Sequence, residues 1–515
     1  MPQVADFTAI LADERWNMPL AAGTPTVVTY SFSSLAQAGR PSEQFEEVAA
    51  VSTFDAGQRA AARNAFEKIE KVSGLTFVEV PNTTPAMLML HVVSGSEWAG
   101  WANSPSVSDY GLYPSAIVID EGIGSFSSAW SMRTLLHEIG HAVGLKHPHA
   151  GDVTLTEAAD RGDNTVMSYN HSSQETGELR HFDIAALRNL YGNSDDADDW
   201  SFRVLHDGLE MRGDDGADKM LGVMGRNVIF GQGGNDTIVG RENGDMLRGG
   251  AGHDELFGNY GKDALYGGTG DDRLVGGVDA DRLFGGGGGD SLFGGDWRDR
   301  LSGGGGEDRL FGGDANDVLF GGSRGDRLSG GDGYDKLFGD AGDDNLFGGA
   351  DDDRLSGGSG HDRLAGGGGS DRLSGEAGRD RLSGGGGYDR LEGGGGNDSL
   401  RGGGGDDTLI GGMGDDFLQG NGGRDRFVFD HGDDTAWGGS SPDTFVFRKT
   451  LTDATIRIGD FNLRQDALQF DGAPLAQAEV AVSDDGEGTV LVFDDTDLRV
   501  ILQGIHLDDF QAAFP

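Results

Sequence analysis

A nine-residue period constrains this chain more than any other feature. Written in lines of nine from Gly213, the sequence stays in phase without insertion or deletion to Val446, which gives 26 lines. Gly249–Phe257 (GGAGHDELF), Gly267–Val275 (GGTGDDRLV) and Gly393–Arg401 (GGGGNDSLR) are clear copies. Position six is Asp in 25 of the 26 lines, with Asn227 the exception, and position eight is apolar, most often Leu. A disordered Gly/Asp-rich tract has no reason to hold phase over so many lines. The period therefore implies stacked, near-identical turns that bury position eight.

The pattern GGxGxDxUx, with U apolar, resembles the calcium-binding repeat of RTX proteins, a parallel β-roll. In that reading six residues turn around the ion and three form a short strand. Glycine supplies backbone with positive φ and lets carbonyl oxygens approach the cation; the Asp supplies carboxylate oxygen. The candidate calcium ligands are Asp218, Asp236, Asp254, Asp272, Asp290, Asp308, Asp344, Asp362, Asp380, Asp398 and Asp416, with Asp371, Asp389, Asp407 and Asp425. Successive turns lie on alternate faces, so one face repeats every 18 residues. Position four departs from glycine at Asn243, Asp279, Trp297, Ala315, Arg324, Asp351 and Ser441, all but Arg324 on one face. Trp, Ala and Arg adopt left-handed backbone poorly. That face is expected to hold calcium weakly or not at all between about residues 243 and 351, and to recover from 369, while the other face fills almost throughout. Arg recurs at position seven (Arg273, Arg282, Arg300, Arg309, Arg363, Arg372, Arg381, Arg390), where it is read chiefly as moderating repulsion beside the Asp column. Phe recurs at position nine (Phe257, Phe284, Phe293, Phe311, Phe320, Phe338, Phe347) and should point outward, packing along the ladder.

Outside the array the composition is ordinary. Acidic residues number 86 against 40 basic, a formal charge of −46. That disfavours nucleic acid and anionic membranes and favours cations. There is no cysteine, so neither disulfides nor thiolate metal sites can form. No apolar run approaches a membrane span, and the N-terminus (MPQVADFTAILADERWNMPL) has no basic n-region or apolar stretch of signal-peptide kind. Residues 1–24 read as an N-terminal segment or short pro-region, 25–195 as a globular α+β domain, 196–212 as a linker, 213–446 as the roll, and 447–515 as a C-terminal β cap. Strands are expected at Val27–Phe32, Leu75–Val80, Met87–Val93, Ala116–Asp120, Thr489–Phe493 and Arg499–Gln503. Helices are expected from a cap at Asp55 to about Val72 with Ala61, Ala65, Phe66, Ile69 and Val72 inward, over Ser131–Val143, and over Asp183–Tyr191.

The chemistry sits in His137-Glu138-Ile139-Gly140-His141-Ala142-Val143-Gly144-Leu145-Lys146-His147, an HExxHxxGxxH run. His137 and His141 are four apart and share one helix face, so both can bind zinc. Glu138 lies beside them as general base, and Gly144 ends the helix with a turn that brings His147 round as third ligand. Three protein ligands leave a position for water. The extended motif is the metzincin signature, which also requires a methionine turn; Thr165–Tyr169 (TVMSY) supplies Met167.

HEIGHAVGLKHP, VMSY, DIAALRNLYG, the stretch Asp443–Phe447 and the nonapeptide array together resemble the serralysins, secreted metzincins with an RTX domain. The resemblance implies an α+β metzincin domain followed by an all-β parallel roll. It implies zinc on His137, His141 and His147, Tyr169 as a further ligand that swings off to stabilise the oxyanion, and Glu138 as base, with Met167 and Gly144 in support. It further implies a protein or peptide substrate, export from a Gram-negative cell by a type I apparatus reading a C-terminal signal, and a protein inhibitor as a candidate partner. The peptide is expected along an edge strand, for which Ala116–Asp120 is the candidate. Three features depart from the family: the array is long, the His147–Met167 segment is short, and Asn170 follows Tyr169 where an aromatic is usual. Calcium outside the cell would fold the array, with at most about 24 ions and, with one face weakened, on the order of 12–18. The rival reading is a calcium-dependent structural or surface-attachment protein; a pore-forming toxin is disfavoured by the absence of long apolar segments.

Overall fold

The computed structural model describes residues 200–448 without a break, most of 451–513, and ahead of residue 200 separate stretches, chiefly 26–32, 54–81, 86–94, 115–120 and 128–143. The chain divides into two compact units, Met1–Asp263 and Ala264–Pro515.

The first unit opens with a sheet ordered Leu75–Glu79, Thr26–Ser31, Leu88–Ser94, Ser115–Asp120, Gly100–Ala102. The first four strands are parallel and the last is antiparallel. A short strand, Ala50–Ser52, also pairs antiparallel with Leu88–Ser94. Helix α1 (Ala56–Glu70) begins at a reciprocal cap: Gln58 N–H donates to Asp55 Oδ1 at 2.7 Å, and Asp55 N–H to Gln58 Oε1 at 2.9 Å. Its inward face is Ala62, Ala65, Phe66 and Ile69, so Ala62 takes the place expected of Ala61, and Val72 is only half-buried. Phe66 packs on Tyr30 and on Phe77, each with centroids 4.4 Å apart, locking the helix onto the sheet. Helix α2 (Ala129–Ala142) carries the HExxH run and starts at Ser128, whose Oγ accepts from Ser131 N–H at 3.1 Å. Residues 183–187 are helical. Among the described residues no helix is long and apolar enough to cross a membrane.

The strand Ser115–Asp120 is not at the edge. It is flanked by Leu88–Ser94 on one side and Gly100–Ala102 on the other, and Ala102, Trp101 and Gly100 pair with Ile117, Val118 and Ile119. Among the described residues the end strands of the sheet are Leu75–Glu79 and Gly100–Ala102. The apolar run Ala116–Ile119 could not show this, because neighbours on both sides and a neighbour on one side ask for the same residues.

The repeat region is a parallel β-solenoid of about 14 turns. In the first unit its open end is covered by an antiparallel strand, Ser201–Val204 on Gly208–Arg212. In the second unit the last turns give way to antiparallel pairings, Ala467–Phe470 with Ala473–Pro474, and Leu498–Gln503 with Gly488–Phe493, followed by a short helix, Leu507–Ala513. Both arrangements convert an exposed row of backbone donors and acceptors into paired ones.

Beyond the first line, where Lys219–Leu221 has the expected three residues, the strands are longer. Arg282–Gly287, Arg300–Gly305 and Arg354–Ser359 each run six residues, from position seven through position three of the next line. The parallel ladder continues through the glycines because pairing needs only the backbone. Position eight is the core: Leu265 through Leu418 are almost wholly buried, one from every line. From Phe257 to Arg401 position nine points outward, as expected, and its rings stack along the sheet: Tyr266 on Phe284, Phe293 on Phe311 and Phe320 on Phe338, with centroids 5.0–5.1 Å apart. Nearer the C-terminal end Ile410, Val428 and Val446 are buried against one another.

Position one must be glycine for a reason the period alone does not state. A Cβ on Gly285 would lie 2.2 Å from Asp290 Oδ2 and 2.7 Å from the Gly303 carbonyl oxygen, whereas a Cβ on Gly287, at position three, meets nothing within 4 Å. Gly285→Ala should therefore lose about 1–3 kcal/mol in urea unfolding at saturating calcium. Gly287→Ala should be neutral or gain about 0.4–1 kcal/mol. Equal effects at the two positions would refute this account of the turn.

Candidate metal sites

Helix α2 is buried along Leu135, Leu136, Ile139 and Ala142, which hold it rigidly against the first unit's core. His137 and Glu138, both 7% exposed, sit at the border of that packing. The rings of His137 and His141 are 4.8 Å apart with planes at 86°, side by side on one helix face. His141 Nδ1 lies 2.8 Å from the Leu145 carbonyl oxygen. A carbonyl only accepts, so Nδ1 carries the proton and Nε2 keeps its lone pair for a metal. Leu145 is held in turn by its N–H on the Gly140 carbonyl at 2.8 Å. Burial lowers the pKa of His141 and pushes that of Glu138 up to about 8. Both shifts favour the neutral forms, and a nearby cation would draw Glu138 back toward the carboxylate.

Met167 is wholly buried, and a Cβ on Gly140 would meet its Sδ at 2.6 Å. The glycine inside HEIGH thus makes room for the methionine between the two histidines. Of the predicted zinc site, the structure brings together His137, Glu138, His141 and Met167; Gly144, His147 and Tyr169 lie outside the described residues. Sequence reasoning overlooked Leu145 and Gly140, although a glycine one residue before the second histidine was a visible signal.

The roll builds a different kind of site. The position-six aspartates from Asp236 to Asp443 are all buried. From Asp290 onward each takes one hydrogen bond on Oδ1 from the backbone N–H of the aspartate 18 residues earlier, at 2.7–2.9 Å through Asp443. Asp466 continues the ladder beyond the repeats, accepting from Asp443 N–H at 3.0 Å. Along Asp290 to Asp425 the second oxygen, Oδ2, is buried without a hydrogen-bond partner; Asp290 Oδ2 and the Gly303 carbonyl oxygen both border the space a Cβ on Gly285 would fill. A buried carboxylate oxygen without a donor is a cost that a hard cation would remove.

Asn227 supplies the test of fit. Its Nδ2, with two hydrogens to share, lies 3.1–3.2 Å from the carbonyls of Val223, Gly225 and Gly240 and from Asp245 Oδ1. One positively polarised group thus sits among the carbonyls of positions one, two and four. Where Asp replaces Asn, the same carbonyls and a carboxylate form an oxygen cradle suited to calcium. At the roll's start, Asp218 has both oxygens engaged, Oδ1 by Trp200 Nε1 at 3.0 Å and Oδ2 by Asp214 N–H at 2.9 Å. Asp299, Asp317, Asp326, Asp335 and Asp353, absent from the expected ligand set, share the same burial and ladder bond as those within it. Among the described residues no three His, Cys, Asp or Glu side chains form a metal cluster. The helix contributes two such ligands, and the roll's cradles are mainly backbone.

The non-glycine residues at position four do adopt left-handed backbone. Asn243, Asp279, Trp297, Ala315, Arg324 and Asp351 have φ between +71° and +83°, whereas glycines at this position from Gly252 to Gly423 lie between +114° and +147°. Glycines at the two ends of the array, Gly225, Gly234 and Gly432, lie between at +88° to +97°, so along the middle of the array the non-glycine turns differ in the peptide that supplies one cradle oxygen.

Comparison with known proteins agrees with the roll. The model of the RTX calcium-binding nonapeptide repeat matches in overlapping segments from residue 212 to 427. The repeat region is a calcium-binding RTX array. Curated relatives include Serralysin A of Dickeya chrysanthemi, 27% identical over 27% of this chain and 34% of its own length. Serralysin G of the same organism is 25% identical over 34% of this chain and 41% of its own. A serralysin of Photorhabdus sp. (strain Az29) is 25% identical over 36% and 42%. The chain spans about two fifths or less of the length of these relatives. A solved chain described as a hyperactive, Ca2+-dependent, β-helical antifreeze protein from an Antarctic bacterium aligns over 51% of this chain and 90% of that one, at 18% identity and a TM-score of 0.20, too low to bear on function.

The cradles titrate. Burial first, and neighbouring aspartates second, raise Asp299 and Asp326 to about 8, Asp317, Asp353 and Asp407 to about 7, and Asp290 and Asp344 to about 6. A carboxyl raised in the folded state binds protons that the unfolded chain has released, so the metal-free roll loses stability as pH rises through 6–8. In chelator the β signal of the array should be larger at pH 5 than at pH 8, and calcium binding at pH 7 should release protons, read by calorimetry in buffers of different ionisation enthalpy. A calcium midpoint unchanged between pH 6 and pH 8 would contradict this. The position-four difference makes a second forecast: Trp297→Gly with Ala315→Gly should lower the calcium concentration needed for folding and add bound ions. An unchanged stoichiometry and midpoint would mean that the weakened face is no weaker.

Proposed function

We propose that this protein is a zinc endopeptidase whose RTX region folds on calcium outside the cell. The observation that carries the reading is the constellation on α2: two histidine rings 4.8 Å apart, one with its tautomer set by Leu145, a buried Glu138 between them in sequence, and Met167 beneath Gly140. The relatives named serralysin support it, each over a limited share of the chain.

His137 and His141 would hold the zinc together with His147, and a bound zinc polarises the scissile carbonyl and makes water acidic. Glu138 takes the proton of that water as the carbonyl carbon is attacked, then returns it to the departing amide nitrogen. The same environment that raises its pKa makes Glu138 a ready carrier of that proton. Tyr169 hydrogen-bonds the oxyanion. The substrate adds as a strand to Gly100–Ala102, an end strand of the sheet among the described residues. Type I export, with a C-terminal signal, would deliver the chain unfolded to a calcium-rich exterior.

Casein hydrolysis by the calcium-folded, zinc-supplied protein tests this. Glu138→Ala should lower kcat by about 10²–10⁴ with zinc content and calcium-induced folding intact. If the wild type, zinc-loaded and folded, cleaves nothing, the surface-attachment reading takes first place.

A further inference from the structure

The arginines of position seven do not pair with the Asp column. Those carboxylates are buried and bonded to backbone, and among the described residues no position-seven cation forms an ion pair with one. Where a cation does act on the column it comes from position five, as Arg226 on Asp245 and Arg298 on Asp317. Arg273 and Arg300 are instead held over Phe293 and Phe320, each 4.6 Å from the ring centre. Further along the same sheet as Arg300, position nine changes from Phe338 to Ser356 and Ser374, and the rings that would cover the cations are gone.

Here Lys336, Arg354, Arg372 and Arg390 stand opposite one another on four consecutive parallel strands, all exposed. They line a groove of about 380 Å³ with Ser356 and Ser374 beside them, Phe338 at one end and Glu392 at the other. Glu392 pairs with Arg390 at 3.2 Å and the nearby Glu376 accepts from Ser356 Oγ, while among the described residues neither forms an ion pair with Lys336, Arg354 or Arg372. Like charges directly opposite on adjacent strands destabilise a sheet. Three in a row with no acid partner are therefore a cost that an anionic ligand would relieve.

We propose that this groove binds an acidic polysaccharide carrying one carboxylate per sugar ring. Its cations recur at the spacing of parallel strands, about 4.8 Å, close to the length of one pyranose unit along a glycan chain. An extended acidic peptide presents same-side carboxylates about 6.6 Å apart and falls out of step with the ladder. Single-stranded nucleic acid needs aromatic platforms for its bases, and the centre of the groove offers serine. The net charge of −46 does not by itself oppose this: calcium on the buried column would offset part of it, and the ladder is a local concentration of cations in an acidic chain. The site rests on the calcium reading of the roll, because only the folded array brings the cations into register.

The test uses the full chain in calcium, with folding followed by circular dichroism. Binding is read by fluorescence anisotropy of labelled oligogalacturonate too short to gel, beside polyglutamate and oligothymidylate. Oligogalacturonate should bind in a salt-sensitive manner. Arg354→Gln with Arg372→Gln should weaken it about tenfold. The backbone bonds of both residues to Asp335 and Asp353 survive the change, so the calcium-induced signal should not move. Arg309→Gln with Arg327→Gln, adjacent on the opposite sheet, should leave binding as it was. No binding by the folded wild type, equal loss in both double variants, or tighter binding of polyglutamate or oligothymidylate overturns the site. Failure of calcium to fold the chain overturns the calcium reading itself, and the dichroism signal shows which has failed.

Discussion

The repeat region depends on one arrangement: an aspartate that spends Oδ1 on the backbone N–H one turn back and is left with Oδ2 buried and unmatched. Repeated from turn to turn, this puts a column of acceptors inside a structure with no donors left to meet them. Burial of unmatched acceptors is among the larger penalties in folding. It falls here on a domain whose core is a single file of leucines. Cation binding and folding are consequently one equilibrium, and Asn227 shows in miniature what the cation does, by reaching the same carbonyls with an amide nitrogen.

The rest of the array follows from that arrangement. Position one is glycine because Oδ2 occupies the space of a Cβ. Strands run six residues because glycine backbone pairs as well as any other. The carboxylate column lies inside, bonded to backbone, so outward-facing arginines such as Arg273 and Arg300 meet rings instead. In the first unit α2 owes nothing to a cation for its packing. Its apolar face anchors it, a serine caps it, and Leu145 sets the tautomer of His141. Zinc would add chemistry to a helix already placed, whereas calcium makes the turn that holds it.

Much of this was legible in the sequence, for reasons that differ from residue to residue. Asp55 with Gln58 is a local cap, complete within four residues, and the helix starts where it says. The 18-residue return of a face follows from the period alone. So does the left-handed backbone at Trp297 and Ala315, because neighbouring turns dictate it whatever the side chain. Ala61 and Ala62 could not be told apart, since a one-residue rotation of the inward face depends on the sheet against which α1 packs. The edge was misplaced for the same kind of reason: Ile117–Ile119 is apolar enough to lie between two strands or beside one.

The sequence by itself determined the repeat, its phase, the buried position eight, the carboxylate in every turn and the pair of histidines on one helical face. These are properties of spacing, and spacing is local. Only the tertiary structure decided which oxygen of each aspartate from Asp290 to Asp425 is left unpaired, that Met167 lies under Gly140, and that Lys336, Arg354 and Arg372 stand side by side on adjacent strands. Those outcomes join residues 18 or more positions apart, and the contact between them exists only once the intervening backbone has closed its turn.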